Sequence, residues 1–219
     1  MRFIRMWLVP ALATHLGIAM AFGAERQASG GEFPRPFLTV ELYDGTGLSE
    51  TVLEWAKAET SAIFSHAGIE LMWLGGRAIR RESKDQSKEA RLYIRWLLPR
   101  PCGDQGTALA CVLKDIEGVP GPVVYVSRRR IERFMNLGRQ SGHSAWMPPV
   151  FARALGRVMA HELSHRFLQS SCHTRKGILK EGLSREDLTG ILAKGFTFTE
   201  EQAEILQVQA STVVLTEFP

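Results

Sequence analysis

The segment that decides the fold of this chain is Val158-Met159-Ala160-His161-Glu162-Leu163-Ser164-His165. Residues four positions apart lie one turn above each other on a helix, so His161 and His165 can direct two imidazole nitrogens at one point. Two such nitrogens are half of a tetrahedral metal site. Glu162 follows about 100° around the helix, where a carboxylate can take a proton from a water beside the metal. The segment therefore predicts two metal ligands and a general base.

Residues 150–169 show the strongest helical periodicity in the chain, and Pro148-Pro149 suit the start of a helix. Val158, His161 and His165 fall within a broad apolar arc of this helix. The two histidines are therefore expected to face a core or a cleft.

His173 is the favoured third ligand, because it lies eight residues beyond His165 and Ser170-Ser171 allow a loop that returns to the metal. Other downstream side chains also carry metal-binding atoms. They are the carboxylates of Glu181, Glu186 and Asp187 and the thiol of Cys172. The sequence leaves these alternatives open, whereas His66 and His143 are expected to be ordinary surface or core residues.

The part of the chain that precedes this helix has mainly strand signals. Strands are predicted over residues 37–43, 69–74, 91–97, 107–113 and 123–126, and helices over residues 49–66 and 127–137. Beyond the histidine helix, further helices are expected over residues 184–188 and 199–209, the second opened by the capping-box pattern Thr199-Glu200-Glu201-Gln202. This order predicts an α+β fold, in which a mixed, twisted sheet of about four to five strands packs on the N-terminal helix and the histidine helix, with a mostly helical C-terminal part.

Residues 1–23 have the pattern of a signal peptide. Arg2 and Arg5 give it a basic start, an apolar stretch follows, and small residues at its end suit cleavage. Residues 24–36 are expected to be a linker and residues 37–219 the folded domain. No second segment has the length and apolarity of a membrane span, so the processed protein is expected to be secreted or periplasmic and free of the membrane.

The formal net charge of +4 falls to +2 when Arg2 and Arg5 leave with the signal peptide. So small a charge gives no reason to expect a nucleic-acid partner. The densest basic run, Arg128-Arg129-Arg130, is expected to be a solvated helix face.

The three cysteines leave one thiol over if two of them pair. Cys102 and Cys111 flank a glycine-containing loop and can form a local disulfide, with Cys172 free. Alternatively, Cys172 binds the metal or pairs elsewhere, because connectivity does not follow from sequence.

These motifs resemble those of zincin metallopeptidases, on the metzincin side. His161-Glu162-Leu163-Ser164-His165 matches the zinc helix, His173 stands for the third ligand, and Gly177-Ile178-Leu179 occupies the place of a Met-turn. More closely, residues 158–187 are similar to a group of uncharacterised exported bacterial proteins with the motif HExxH, seven residues, H, then GIM. A strand and helix like residues 37–74 and a segment like residues 198–202 recur in that group.

Three departures separate the chain from the metzincin pattern. That pattern has a glycine and the third histidine where Leu168 and Ser171 stand here, so the loop is two residues longer. Leu179 replaces the methionine of the turn, which keeps an apolar side chain but loses the sulfur. No tyrosine follows Tyr125, so the tyrosine that some metzincins use to stabilise the oxyanion is absent.

The resemblance implies a zincin-like single domain and a secreted zinc metalloendopeptidase, a hydrolase whose substrates are proteins or peptides. His161, His165 and His173 would bind Zn²⁺, Glu162 would act as general base, and an edge strand near residues 107–113 would bind the substrate backbone. A zinc amidase acting on cell-wall peptide and a zinc-stabilised, non-catalytic binding protein are the alternatives. Glu162 favours an enzyme, because zinc binding alone does not require it.

Overall fold

The structure is a computed structural model that describes residues 36–75, 89–99, 102, 108–136, 148–191 and 196–211. These residues belong to one compact unit, Pro34–Pro219. The predicted signal peptide, nearly all of the predicted linker, and His143 lie outside the described residues.

Strands dominate the first half of the described chain and helices the second. The elements in chain order are β1 (Phe37–Asp44), α1 (Glu50–His66), β2 (Glu70–Gly75), β3 (Glu89–Arg95), β4 (Ala110–Lys114), β5 (Pro120–Ser127), α2 (Arg128–Phe134), α3 (Pro148–Phe167), α4 (Arg185–Thr189) and α5 (Glu200–Ser211). This order agrees with the strands and helices predicted from sequence, apart from shifts of a few residues at their ends.

The five strands form a single sheet in the order β2-β1-β3-β5-β4. The pairs within β2-β1-β3-β5 are parallel, and β4 pairs with β5 in the antiparallel direction. One face of the sheet buries alternate residues such as Val40, Leu92 and Val124 in the core shared with α1 and α3. The predicted α+β fold with a mixed sheet on two helices is confirmed, and β4 lies at one edge of that sheet.

The start of β5 differs from the prediction. Residues 117–122 have the composition of a turn, yet β5 begins at Pro120. The pairing between β5 and β3 starts only at Val123, opposite Arg91. Pro120 and Pro122 therefore precede the part of β5 that pairs with β3, and their missing N–H groups do not interrupt that pairing.

Helix α1 packs against α3 at a glycine. A Cβ atom built on Gly156 would lie 2.6 Å from the carbonyl oxygen of Ala56 and 2.8 Å from the Cβ atom of Glu59. The buried hydroxyl of Thr60 donates a hydrogen bond to the Gly156 carbonyl oxygen, at 2.9 Å. The absence of a side chain at position 156 thus sets how closely the histidine helix approaches α1.

Helix α3 is buried on its arginine face as well as on its histidine face. The Arg157 side chain is only 1% exposed, and its Nε atom lies 2.8 Å from Glu59 Oε1 on α1. Its Nη1 atom donates to the Asp187 carbonyl oxygen at 2.8 Å, and its guanidinium lies 5.9 Å from the centre of the Phe196 ring. These contacts tie α3 to α1 and to α4, and they satisfy a charge that would otherwise be costly to bury.

None of the described helices combines the length and the apolarity that a membrane span requires.

Candidate metal centre

The two histidines of the zinc-helix motif lie side by side on consecutive turns of α3. Both are buried, with exposed fractions of 5% for His161 and 6% for His165. Their Nε2 atoms are 3.2 Å apart. The inward orientation predicted for this helix therefore brings two imidazole nitrogens to one point.

Backbone carbonyl groups fix the orientation of both rings. His161 Nδ1 lies 2.7 Å from the Ile178 carbonyl oxygen, and His165 Nδ1 lies 2.7 Å from the Ser170 carbonyl oxygen. A carbonyl oxygen only accepts hydrogen bonds, so both Nδ1 atoms carry the proton. In the neutral imidazoles, both Nε2 atoms then present lone pairs.

The end of α3 supplies one of these carbonyl groups. Gln169 has a φ angle of 47°, and the Ser170 amide donates to the His165 carbonyl oxygen at 3.1 Å, while the Gln169 amide donates to the Arg166 carbonyl oxygen at 3.3 Å. These two bonds are the pattern of a Schellman motif, here with glutamine in the left-handed position. The resulting reversal of the chain brings the Ser170 carbonyl group to His165.

His173 approaches the same point from beyond this reversal. Its ring centre lies 5.4 Å from that of His161 and 4.9 Å from that of His165. One ligand atom from each of the three histidines lies within 4.8 Å of the others. Because His173 is exposed, its side chain has room to rotate toward the buried pair.

The alternative third ligands do not join this group. Within the described chain, the cluster of potential ligand atoms contains neither a carboxylate nor a thiol. Asp187 instead accepts hydrogen bonds from the Ser184 amide and from Lys180 Nζ, at 2.8 and 2.9 Å. Glu181, Glu186 and Cys172 are exposed. Of the candidates considered, the geometry therefore favours His173.

The turn at Gly177-Ile178-Leu179 supplies the carbonyl group that holds His161. Ile178 and Leu179 are buried, and the Thr174 amide donates to the Leu179 carbonyl oxygen at 2.8 Å. Gly177 has a φ angle of 79°, and a Cβ atom there would lie 3.0 Å from Thr199 Cγ2 and 3.1 Å from Gln202 Oε1. The start of α5, closed by the predicted Thr199–Gln202 capping box, thus packs against this turn.

Substitution of Gly177 by alanine should weaken the binding of a metal ion by the histidines about 10- to 100-fold, the range found when groups that orient a ligand are disturbed. The added methyl group would press on α5 and displace the Ile178 carbonyl group from His161. Gly182→Ala is the matched control, because Gly182 has a similar φ angle of 68° but open space around it. Zinc affinities measured by competition with a chelator should fall only for Gly177→Ala, and equal losses in both variants would contradict the prediction.

A divalent cation fits the donor set that the histidines present. Two Nε2 lone pairs that face each other at 3.2 Å cannot form a hydrogen bond, whereas a cation that both nitrogens coordinate would satisfy them. Ligands at Zn–N distances of about 2.0–2.1 Å in tetrahedral geometry would be about 3.3–3.4 Å apart. Burial, followed by the charge of His165, lowers the pKa of His161 to about 4, and burial also lowers the pKa of His165. Both rings are therefore neutral at pH 7, as metal ligands must be.

Glu162 lies next to this donor set and is partly buried. Burial raises the pKa of its carboxyl group to about 8. A cation beside it would favour the ionised form and lower that pKa. A bound metal would thus lower the pKa of Glu162 toward the range that suits a general base.

The histidines and Glu162 line a cleft of about 540 Å³. The edge strand β4 contributes Ala110, Val112 and Lys114 to its lining, and the segment after α3 contributes His173, Lys180 and Leu183. A cleft between an exposed strand edge and a set of metal ligands can hold an extended chain beside those ligands.

No family model and no curated protein matches the chain in sequence. Among solved structures, it is similar to archaemetzincin from Methanopyrus kandleri, with 12% sequence identity, a TM-score of 0.47, and coverage of 80% of this chain and 96% of that chain. It is also similar to myroilysin, with 13% identity, a TM-score of 0.32, and coverage of 80% and 75%. Sequence identities and TM-scores this low assign no activity to the chain.

The cysteines near this cleft pair as the sequence suggests. Cys102 and Cys111 form a disulfide with Cα atoms 5.8 Å apart, and Cys172 is free and exposed. Because Cys111 is the second residue of β4, the disulfide ties the edge strand to the segment that precedes it.

Sequence reasoning missed the carbonyl groups of Ser170 and Ile178 and the side chain of Lys114. The Gly177-Ile178-Leu179 motif pointed to the turn, but no residue type reveals which way a carbonyl group will face. Lys114 is an isolated lysine at the end of a strand, and only its place in the cleft distinguishes it.

Proposed function

We propose that this protein is an exported zinc-dependent endopeptidase. In this proposal His161, His165 and His173 bind Zn²⁺, and Glu162 is the general base in the hydrolysis of a peptide bond. The observation that carries it is the pair of Nε2 lone pairs at 3.2 Å, both oriented by backbone carbonyl groups, beside a carboxylate in an open cleft.

Each of these residues has a distinct task. The two buried histidines hold their ligand atoms in fixed directions, because their Nδ1 protons are engaged. Glu162 accepts the proton of the attacking water and returns it to the leaving nitrogen. A bound zinc ion would supply the Lewis acid that makes that water acidic and polarises the scissile carbonyl group.

The edge strand β4 is the element best suited to position the substrate. Among the described strands it pairs only with β5, and it lines the cleft that contains the histidines. A peptide in extended conformation can add to such an edge through backbone hydrogen bonds, which bind without regard to sequence. The scissile bond would then lie next to Glu162.

Export is part of the proposal for two reasons. Residues 1–23 have the pattern of a signal peptide. The Cys102–Cys111 disulfide is the kind of bond that persists in oxidising compartments outside the cytosol. Sequencing the N-terminus of protein recovered from the periplasm or the medium tests this part of the proposal.

The purified protein should contain stoichiometric zinc, and His173→Ala should lose most of it. Glu181→Ala is the matched control, because Glu181 is an exposed carboxylate on the same segment and was an alternative ligand. Metal content measured by mass spectrometry after gel filtration decides between them. Full zinc in His173→Ala together with loss in Glu181→Ala would show that the third ligand is wrong.

Cleavage of a peptide library by the zinc-loaded protein tests the reaction itself. A chelator should abolish cleavage, and added zinc should restore it. Stoichiometric zinc without cleavage of any peptide would contradict the endopeptidase and favour a zinc-stabilised binding protein. Cleavage confined to cell-wall peptides would favour the amidase.

A further inference from the structure

Basic side chains outnumber acidic ones among the described residues that line the cleft. Its described lining contains two lysines, Lys114 and Lys180, and a single carboxylate, that of Glu162. Glu162 is committed to the proposed chemistry. The remaining charge that the described part of the walls presents to a substrate is therefore positive.

The two lysines differ in their partners. Lys180 Nζ lies 2.9 Å from Asp187 Oδ2, so its charge is largely balanced. The ion pairs formed among the described residues do not include Lys114. The nearby Asp115 carboxylate accepts hydrogen bonds from the amides of Glu117 and Val119 in the turn after β4. The ammonium group of Lys114 is thus available to form an ion pair with a ligand.

Lys114 also occupies the place where a bound peptide would pass. It is the last residue of the edge strand β4 and lines the cleft. The pairing register between β4 and β5 shifts between Val112 and Lys114, and such irregularities redirect side chains next to binding sites.

We propose that Lys114 is a specificity residue that selects peptides with an aspartate or glutamate side chain close to the scissile bond. The proposal rests on the proposed peptidase function and deepens it by naming the substrate class. A carboxylate on a peptide aligned with β4 would pair with the ammonium group, while the apolar wall of Val112 and Leu183 would contact its neighbours.

The size of the effect follows from the exposure of Lys114. Its side chain is exposed, so water and salt screen the interaction, and the preference for an acidic over a neutral residue should be about 1.5- to 5-fold in kcat/KM. The preference should appear mainly in KM, because Lys114 contacts the substrate away from the reacting atoms. It should also shrink as the salt concentration rises.

The test uses fluorogenic peptides in pairs that differ only by aspartate against asparagine, placed in turn at each position near the cleaved bond. The zinc-loaded wild-type protein should prefer one aspartate peptide, Lys114→Ala should lose that preference, and Lys114→Glu should prefer a lysine at the same position. Lys57→Ala is the control. It removes one positive charge from α1, outside the cleft, and should keep the wild-type preference.

Binding of the same peptides to zinc-loaded Glu162→Gln gives a readout that does not depend on turnover. Its Kd values should favour the aspartate peptide, and adding Lys114→Ala should equalise them. Equal kcat/KM values for both peptides in the wild type, together with equal Kd values in Glu162→Gln, would overturn the role of Lys114 while leaving the peptidase intact. So would a uniform loss of kcat for all peptides in Lys114→Ala, which indicates action at the reacting carbonyl group. Charge-dependent binding without cleavage would support Lys114 and contradict the peptidase.

Discussion

Glu162→Gln should lower kcat/KM for peptide hydrolysis about 10²- to 10⁴-fold, the usual contribution of a general base. Glutamine keeps the shape of the side chain and can still form hydrogen bonds, but it cannot accept a proton from the attacking water. The three histidines are unchanged, so the zinc content should remain that of the wild type. Steady-state kinetics on a cleaved peptide, with zinc measured on the same samples, gives both quantities.

The fold should tolerate this substitution. Burial raises the pKa of Glu162 to about 8 in the metal-free protein, so at pH 7 glutamine replaces a carboxyl group that is already mostly neutral. In the unfolded chain that carboxyl group is ionised at pH 7, which favours unfolding of the wild type but not of the variant. The melting temperature of metal-free Glu162→Gln should therefore equal or exceed that of the wild type. Wild-type activity in the variant would remove Glu162 from the mechanism, and loss of zinc would mean that Glu162 acts by holding the metal instead of as the base.

Gly156→Ala should lower the free energy of unfolding by about 1 to 3 kcal/mol, the cost of overfilling a packed interface. At an exposed helical position the same change would stabilise by about 1 kcal/mol, because alanine is the better helix former. Here the new Cβ atom would meet a backbone oxygen at 2.6 Å, and backbone cannot move aside as a flexible side chain can. The contact between α1 and α3 outweighs the helix propensity, so the sign reverses.

Gly75→Ala is the matched control for this experiment. Gly75 ends β2, and nothing lies within 4 Å of the position that its Cβ atom would take. Chemical denaturation of the metal-free proteins should give a lower midpoint for Gly156→Ala and a nearly unchanged one for Gly75→Ala. A gain in stability at position 156 would mean that α1 and α3 are not in such close contact.

Local signals in the sequence predicted much of the fold. Ser49 and Ser127 were expected to start helices, and each accepts a hydrogen bond from an amide of the first turn, that of Val52 and that of Arg130. The Thr199–Gln202 capping box was predicted from four residues of sequence. These features involve neighbours in the chain, so their physical causes are contained in short segments.

The strand order and the burial of Arg157 did not follow from sequence, because each depends on residues far apart in the chain. Arg157 reads as part of a polar helix face, yet Glu59 and the Asp187 carbonyl group make its burial acceptable. In the site, the spacing of His161 and His165 predicted their convergence, since one helix holds both. The position of His173 depends on the path of the chain after α3, and sequence favoured it without deciding among the alternatives.

The orienting partners of both buried histidines are peptide carbonyl groups, and every amino acid carries one. An alanine scan would therefore show large losses of function at the histidines and Glu162. It would show little loss at Ser170, because Ser170→Ala keeps the carbonyl group that holds His165. Insertion or deletion of a single residue between positions 165 and 178 would act differently, since it would shift one or both carbonyl groups relative to the rings. Over evolutionary time, selection on this segment should act more strongly on its length than on its composition.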